Sequence, residues 1–127
     1  MQNRTVIALS VIITATPLLS AREPAISSVQ AVSTSVGLYE KFELRIDLDA
    51  TYANPYDPEE IDLQAQFTSP SGKQWTIWGF YNPSGWSRLW MVRFAPTEKG
   101  SWSYTVKVTD REGTAESRPR TFMVGES

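Results

Sequence analysis

The chain contains no cysteine and no histidine. Without cysteine it forms no disulfide, whatever compartment it occupies, and it offers no thiol to carry a lipid at a processed N-terminus. Lacking both residues, it cannot assemble a Ser-His-Asp or Cys-His nucleophile or the usual zinc ligand sets. Excess positive charge is missing too: 12 Lys and Arg stand against 14 Asp and Glu, a net charge of −2, with the cations scattered singly along the chain. Neutralising phosphates takes clustered Lys and Arg, so no nucleic-acid partner is expected. Beyond the N-terminal segment no stretch has the period of an amphipathic helix, and no internal repeat or low-complexity linker occurs.

Long apolar runs are scarce. The longest, Val6 to Thr16, follows the lone charge of Arg4 and ends before Pro17, with Leu19-Ser20-Ala21 behind it. It falls short of the roughly 20 residues of a bilayer span. A cleaved secretory signal peptide over residues 1–21 is the reading preferred to a membrane anchor. This leaves residues 22–127 as one domain of a secreted or periplasmic protein, without a membrane tether after cleavage. Few residues follow Val124, so no second domain is expected after it, although a longer gene product in which this chain is the N-terminal piece is a further possibility.

Alternation of apolar and polar residues then recurs along the chain. Phe42, Leu44, Ile46 and Leu48 alternate with Glu43, Arg45 and Asp47, and Ile61, Leu63, Ala65 and Phe67 with Asp62, Gln64 and Gln66. Such a period of two makes half-buried strands. Ile26 to Ser35 reads as a weak first strand, Ser69-Pro70-Ser71-Gly72 as a turn into a strand over Lys73 to Phe80, and Trp90, Val92 and Phe94 as inward residues of the next. Past the Glu98-Lys99-Gly100 turn, Trp102, Tyr104, Val106 and Val108 share one face; the turn at Asp110 to Gly113 and a strand over Thr114 to Val124 complete about seven strands. An aromatic pair two residues apart just after a glycine turn suits the E–F corner of an immunoglobulin-like fold. The expected architecture is therefore an all-β, antiparallel, immunoglobulin-like sandwich, held by packing alone through a composition that is 41% hydrophobic and 12% aromatic.

Acid chemistry is poorly provided for. Glycoside hydrolysis needs two carboxyl groups roughly 5 to 10 Å apart across a cleft, whereas the acids here fall on solvent faces of strands (Glu43, Asp47, Asp62) or in turns (Glu98, Asp110, Glu112). Catalysis by this chain alone is not expected, and no motif implies a cofactor. Asp57-Pro58-Glu59-Glu60-Ile61-Asp62, with Asn54 nearby, offers oxygen ligands for Ca²⁺, but its spacing is not that of an EF-hand and a solvated acidic turn is preferred.

The aromatics carry the sharper question. Trp90, Phe94, Trp102, Tyr104 and Phe67 sit at inward parity and read as core. Lys73 to Phe80 differs: Trp75, Ile77 and Gly79 share one side, Trp78 and Phe80 the other. If Trp75 and Ile77 face inward, Trp78 lies outside, close in sequence to Tyr81 and Trp86. Flat exposed rings stack on the apolar face of a pyranose, and Asn82, Gln74 and Arg88 could bind its hydroxyls. Trp78, Tyr81, Asn82, Trp86 and Arg88 are thus candidates for glycan stacking or for docking a neighbouring domain, docking being preferred.

The segments NPYDPEEID, SPSGK, GFY and FAPTEKGSWSY, in this order and spacing, resemble domain of unknown function 5060, with similarity from about Val29 to Val124. The resemblance implies an immunoglobulin-like module placed N-terminal to a (β/α)8 barrel in secreted, candidate glycoside hydrolases. In such proteins the catalytic carboxylates lie on the barrel, so no catalytic residue carries over. The expectation is a non-catalytic accessory module of carbohydrate-processing proteins whose partner is a polysaccharide or a catalytic barrel. The alternative is a free-standing extracellular adhesion or protein-interaction domain.

Overall fold

Burying every second side chain requires an extended backbone, and the computed structural model, which describes residues 22–84 and 89–127, is built of strands. They are β1 (Ala25–Ala31), β2 (Ser35–Gly37), β3 (Phe42–Asp49), β4 (Ile61–Thr68), β5 (Gln74–Trp78), β6 (Phe80–Asn82), β7 (Leu89–Phe94), β8 (Gly100–Asp110), β9 (Gly113–Glu116) and β10 (Arg120–Gly125). One sheet has the order β1-β3-β7-β6; the other runs β2-β10-β8-β4-β5, with β9 also on β8. In immunoglobulin lettering this is A-B-E-D facing A′-G-F-C-C′, and the fold is an immunoglobulin-like β-sandwich. The expected signal peptide, residues 1–21, lies outside the described residues.

Three of the seven expected strands are each divided, and each division has a local cause. Between β1 and β2 the Ser33 hydroxyl bonds both the N–H and the C=O of Ser35, turning the chain from one sheet to the other. The strand then joins β10 in parallel, the one departure from antiparallel pairing among the described ladders. Between β9 and β10, Pro119 has no N–H for the ladder, and the Ser117 hydroxyl takes over by accepting from Val106 N at 2.8 Å. The third division, at Gly79, shapes the candidate site.

The sheets meet through rings. Phe42 of β3 stacks on Phe122 of β10 with centroids 3.7 Å apart, and Phe67 of β4 stacks on Phe94 of β7 at 4.4 Å. Trp102, 0% exposed, lies against both Phe94 and Phe122. Its indole Nε1 donates to Glu98 O at 2.8 Å, four residues upstream. This indole closes the E–F corner, where immunoglobulin domains use a tyrosine hydroxyl. Gly100, at φ +121°, makes the corner passable, and a Cβ there would come within 2.9 Å of Pro70. The Glu98 carboxylate clamps the β4–β5 turn to this corner by accepting from Ser71 N and Ser71 Oγ.

On the outer face of the four-stranded sheet Glu43 is only 7% exposed, although the sequence pattern assigns it to solvent. Lys41 at 3.0 Å, Arg93 at 3.3 Å and Arg45 at 3.9 Å surround it. Burial pushes its carboxyl up, but Lys41 and Arg93 pull further and hold it below the ordinary carboxylate range. With the folded value depressed, the stabilisation is fully present above the unfolded pKa near 4.5 and is lost as pH falls through the lower folded value.

Two outcomes are expected. Trp102→Ala should lose about 3 to 5 kcal/mol in urea unfolding at constant slope, while Trp102→Phe, which keeps most of the packing but not the corner bond, loses about 1 to 2 kcal/mol. In unfolding curves taken as a function of pH, Glu43→Gln should lack part of the wild-type loss of stability below about pH 4.5; parallel acid limbs would show that the cation cluster contributes nothing.

Candidate functional site

β5 and β6 belong to opposite sheets, yet only Gly79 separates them. Its N–H donates to Leu63 O at 2.8 Å, and a Cβ on it would fall 2.5 Å from Leu63 Cδ2, so only glycine lets the chain cross this close to the core. The crossing sends neighbouring rings apart. Trp78, opposite Gln64 in the ladder, stands on the outer face of its sheet, 61% exposed. Phe80 pairs with Met91 on the outer face of the other sheet, with the Arg93 guanidinium 5.1 Å from its ring centroid. Tyr81, opposite the buried Trp90, closes the seam between the sheets, its ring 5.5 Å from the indole.

A cleft of about 280 Å³ opens at this crossing, lined among others by Tyr56, Pro58, Asp62, Trp78, Tyr81 and Trp90. Its size suits a single ring. The far wall comes from the β3–β4 loop, whose shape is set by carboxylates bonding backbone. Glu60 accepts from Ala53 N and Asn54 N, each at 3.1 Å; Asp57 Oδ1 accepts from Glu59 N, and Asn54 Oδ1 from Tyr56 N. The buried Asp110 anchors the start of the same loop, accepting from Thr51 N while its other oxygen caps Glu112 N and Gly113 N. This presents Tyr56, 68% exposed, edge-on to Tyr81 at 5.9 Å. Asp57 and Glu60, two of the acids weighed for Ca²⁺, thus bond this loop's backbone, and among the described residues no three His, Cys, Asp or Glu side chains gather to hold a metal.

Two buried polar atoms in the cleft residues, Trp90 Nε1 and Asp62 Oδ1, have no hydrogen-bond partner among the described residues. Trp90 is only 4% exposed. Leaving a buried donor or acceptor unpaired costs about 1 to 3 kcal/mol, so such atoms call for explanation. The other Asp62 oxygen accepts from Gln64 Nε2 at 3.3 Å, which orients the carboxylate. The cleft is therefore lined by ring faces, with one buried donor and one buried acceptor on its lining residues, and it holds a single carboxylate, Asp62, where glycoside hydrolysis needs two.

Of the residues singled out in the sequence, Trp78 and Tyr81 both line this cleft. Asn82 does not: its Oδ1 accepts from Ser84 N and Ser84 Oγ, and its Nδ2 lies 3.0 Å from Met91 Sδ. Trp86 and Arg88 lie outside the described residues. Gln74 bonds Gln66 on the outer face of the sheet. Tyr56 and Pro58 went unmarked because their segment reads as a turn former; a tyrosine between two prolines, held out from the core, was the available signal.

Fold and cleft together define an immunoglobulin-like module with an aromatic edge site. Residues 35–109 match the family described as domain of unknown function DUF5060, and the chain belongs to it. Among solved structures it is similar to a candidate glycoside hydrolase from Bacteroides vulgatus, at 25% identity and a TM-score of 0.53 over 73% of this chain and 16% of that one. It also shares its fold with chitinase ChiW from Paenibacillus sp. FPU-7, described as a cell-surface-expressed multi-modular enzyme, at 20% identity and a TM-score of 0.52 over 84% of this chain and 9% of that one. This chain thus spans a small fraction of either protein. No curated protein matches it. The module is of a kind found in larger carbohydrate-active proteins, and among the described residues no helix is long and apolar enough to cross a membrane.

Gly79→Ala is expected to lose about 1 to 3 kcal/mol through the clash with Leu63. The same variant should shift Trp78 fluorescence, and unchanged stability would mean that the crossing tolerates a side chain.

Proposed function

We propose that the chain is a non-catalytic accessory module of a secreted or periplasmic carbohydrate-processing protein, and that the cleft beside Trp78 holds a sugar ring. The single observation that carries this reading is the cleft's joining of exposed ring faces, Trp78 and Tyr56, with Trp90 Nε1 and Asp62 Oδ1, buried atoms that have no partner among the described residues. A sugar offers both complements: C–H faces that stack on aromatic rings, and hydroxyls that donate and accept at once. Tyr81 supports the floor of the site. Trp86 and Arg88 are proposed as further glycan-stacking or docking residues on the sequence alone.

Docking of a catalytic barrel is the second reading. It is favoured by Phe80, which borders the cleft and is partly exposed on the outer face of the other sheet under Arg93, and by the small share of the longer relatives that the module spans. Affinity electrophoresis of the whole chain in gels containing neutral plant and algal polysaccharides tests the glycan reading. Retardation on at least one glycan is expected, weakened about tenfold or more by Trp78→Ala with the circular dichroism unchanged. Unaltered mobility on every glycan would defeat it and leave docking.

A further inference from the structure

The outer face of the six-stranded sheet continues the floor beyond Trp78. Ladder partners place Trp78, Gln64, Lys107 and Glu116 side by side in one row across β5, β4, β8 and β9, and Thr76, Gln66 and Thr105 in a second row beside it. These side chains, Trp78 aside, line a shallow groove of about 200 Å³. With strands about 4.8 Å apart, the first row is about 14 Å long, longer than any single sugar ring.

The chemistry of the groove differs from that of a docking surface. A protein interface has an apolar core, whereas both rows beyond Trp78 are amides, hydroxyls, one cation and one carboxylate, with no apolar side chain among them. Gln64 spends an amide N–H on Asp62 and Gln66 one on Gln74, which fixes both side chains and leaves their amide oxygens to the groove. Lys107 makes no ion pair among the described residues, although Glu116 is its ladder partner. The groove thus presents preorganised acceptors, the hydroxyls of Thr76 and Thr105, and one unengaged ammonium. Asp62 and Glu116 flank that cation with carboxylates, which disfavours an anionic ligand.

We infer that the row Trp78–Gln64–Lys107–Glu116 is an extended binding track for the interior of a neutral oligosaccharide, running across the strands from the Trp78 cleft. The inference rests on the glycan reading of that cleft and deepens it. One ring stacks on Trp78, and the following residues hydrogen-bond to Gln64, Gln66, Thr105 and Lys107. Such a site grips the middle of a chain rather than a free end. Sulfated or uronic chains are rejected by Asp62 and Glu116.

The test is isothermal titration calorimetry of the whole chain with neutral oligosaccharide ladders from chitin, agarose and xylan, disaccharide to hexasaccharide, alongside sulfated carrageenan oligosaccharides. Affinity should rise with length until the row is filled, and neutral probes should bind more tightly than sulfated ones. Gln66→Ala and Lys107→Met should each weaken hexasaccharide binding about threefold to tenfold and leave disaccharide binding unchanged; Trp78→Ala should weaken both. Affinity independent of length, full hexasaccharide affinity in the Gln66 and Lys107 variants, or tighter binding of sulfated probes overturns the track while leaving the Trp78 cleft standing. Failure of every probe to bind the wild-type chain overturns both.

Discussion

Stacking between facing aromatic rings holds the two sheets together in a domain that has no disulfide to do so. Phe42 with Phe122 and Phe67 with Phe94 each join one sheet to the other, and Trp102 bridges the two stacks. Ring pairs of this kind contribute about 0.5 to 1.5 kcal/mol each beyond the area they bury, so several together match the few kcal/mol that a crosslink typically supplies. Trp102 has a second task, because its indole N–H closes the E–F corner on Glu98 O. The same corner is tied through the Glu98 side chain to the turn leading into β5. Packing at the centre of the sandwich is therefore mechanically continuous with the edge strand that bears Trp78.

That edge is where the sandwich departs from regular pairing. β5 and β6 are edge strands of different sheets, and a single residue, Gly79, lies between them. A wider connection would let the chain cover the seam. The direct crossing leaves it open, and the β3–β4 loop supplies the missing wall by means of Glu60 and Asp110. The cleft thus follows from a close backbone approach at one point and two carboxylates bonded to backbone N–H groups at others. Trp90 Nε1 and Asp62 Oδ1, buried and without a partner among the described residues, belong to residues that line this cleft. Local cost of this kind at an otherwise well-satisfied fold is a common mark of a binding site.

Side-chain parity was legible along nearly the whole chain. Phe42, Leu44 and Ile46, then Ile61 to Phe67, Trp90 to Phe94 and Trp102 to Val108 all bury the residues that alternation assigns to the core. Parity also put Trp78 outside, opposite in face to the half-buried Ile77 and to Trp75, which lies near Phe94 yet stays 39% exposed at the sheet edge. What it cannot convey is where a strand changes sheets, since Lys73 to Phe80 alternates smoothly through Gly79 and only the proximity of Leu63 shows why glycine is there. Burial of Glu43 was hidden for a related reason: a charge at solvent parity becomes inaccessible only when Lys41, Arg45 and Arg93 converge on it from its own and a neighbouring strand. Tyr56 was hidden because its position depends on Glu60 and Asp110, the latter far along the chain.

The charge arrangement separates the two outer faces in a way that bears on their use. The four-stranded sheet carries three cations about one nearly buried carboxylate and an apolar ring, Phe80, beneath Arg93, a surface of mixed charge and apolar area. The six-stranded sheet carries amides and hydroxyls in rows with Trp78 at one end and Lys107 and Glu116 toward the other. On the first face the apolar contact for a neighbouring domain is Phe80, and the charges about Glu43 suit the polar rim of such a contact rather than its core. Sugar recognition draws on the second face, because each hydroxyl removed from water needs a replacement partner. The proposed docking surface and the proposed glycan site thus fall on opposite faces, and the cleft at Gly79 lies at the edge where the two faces meet.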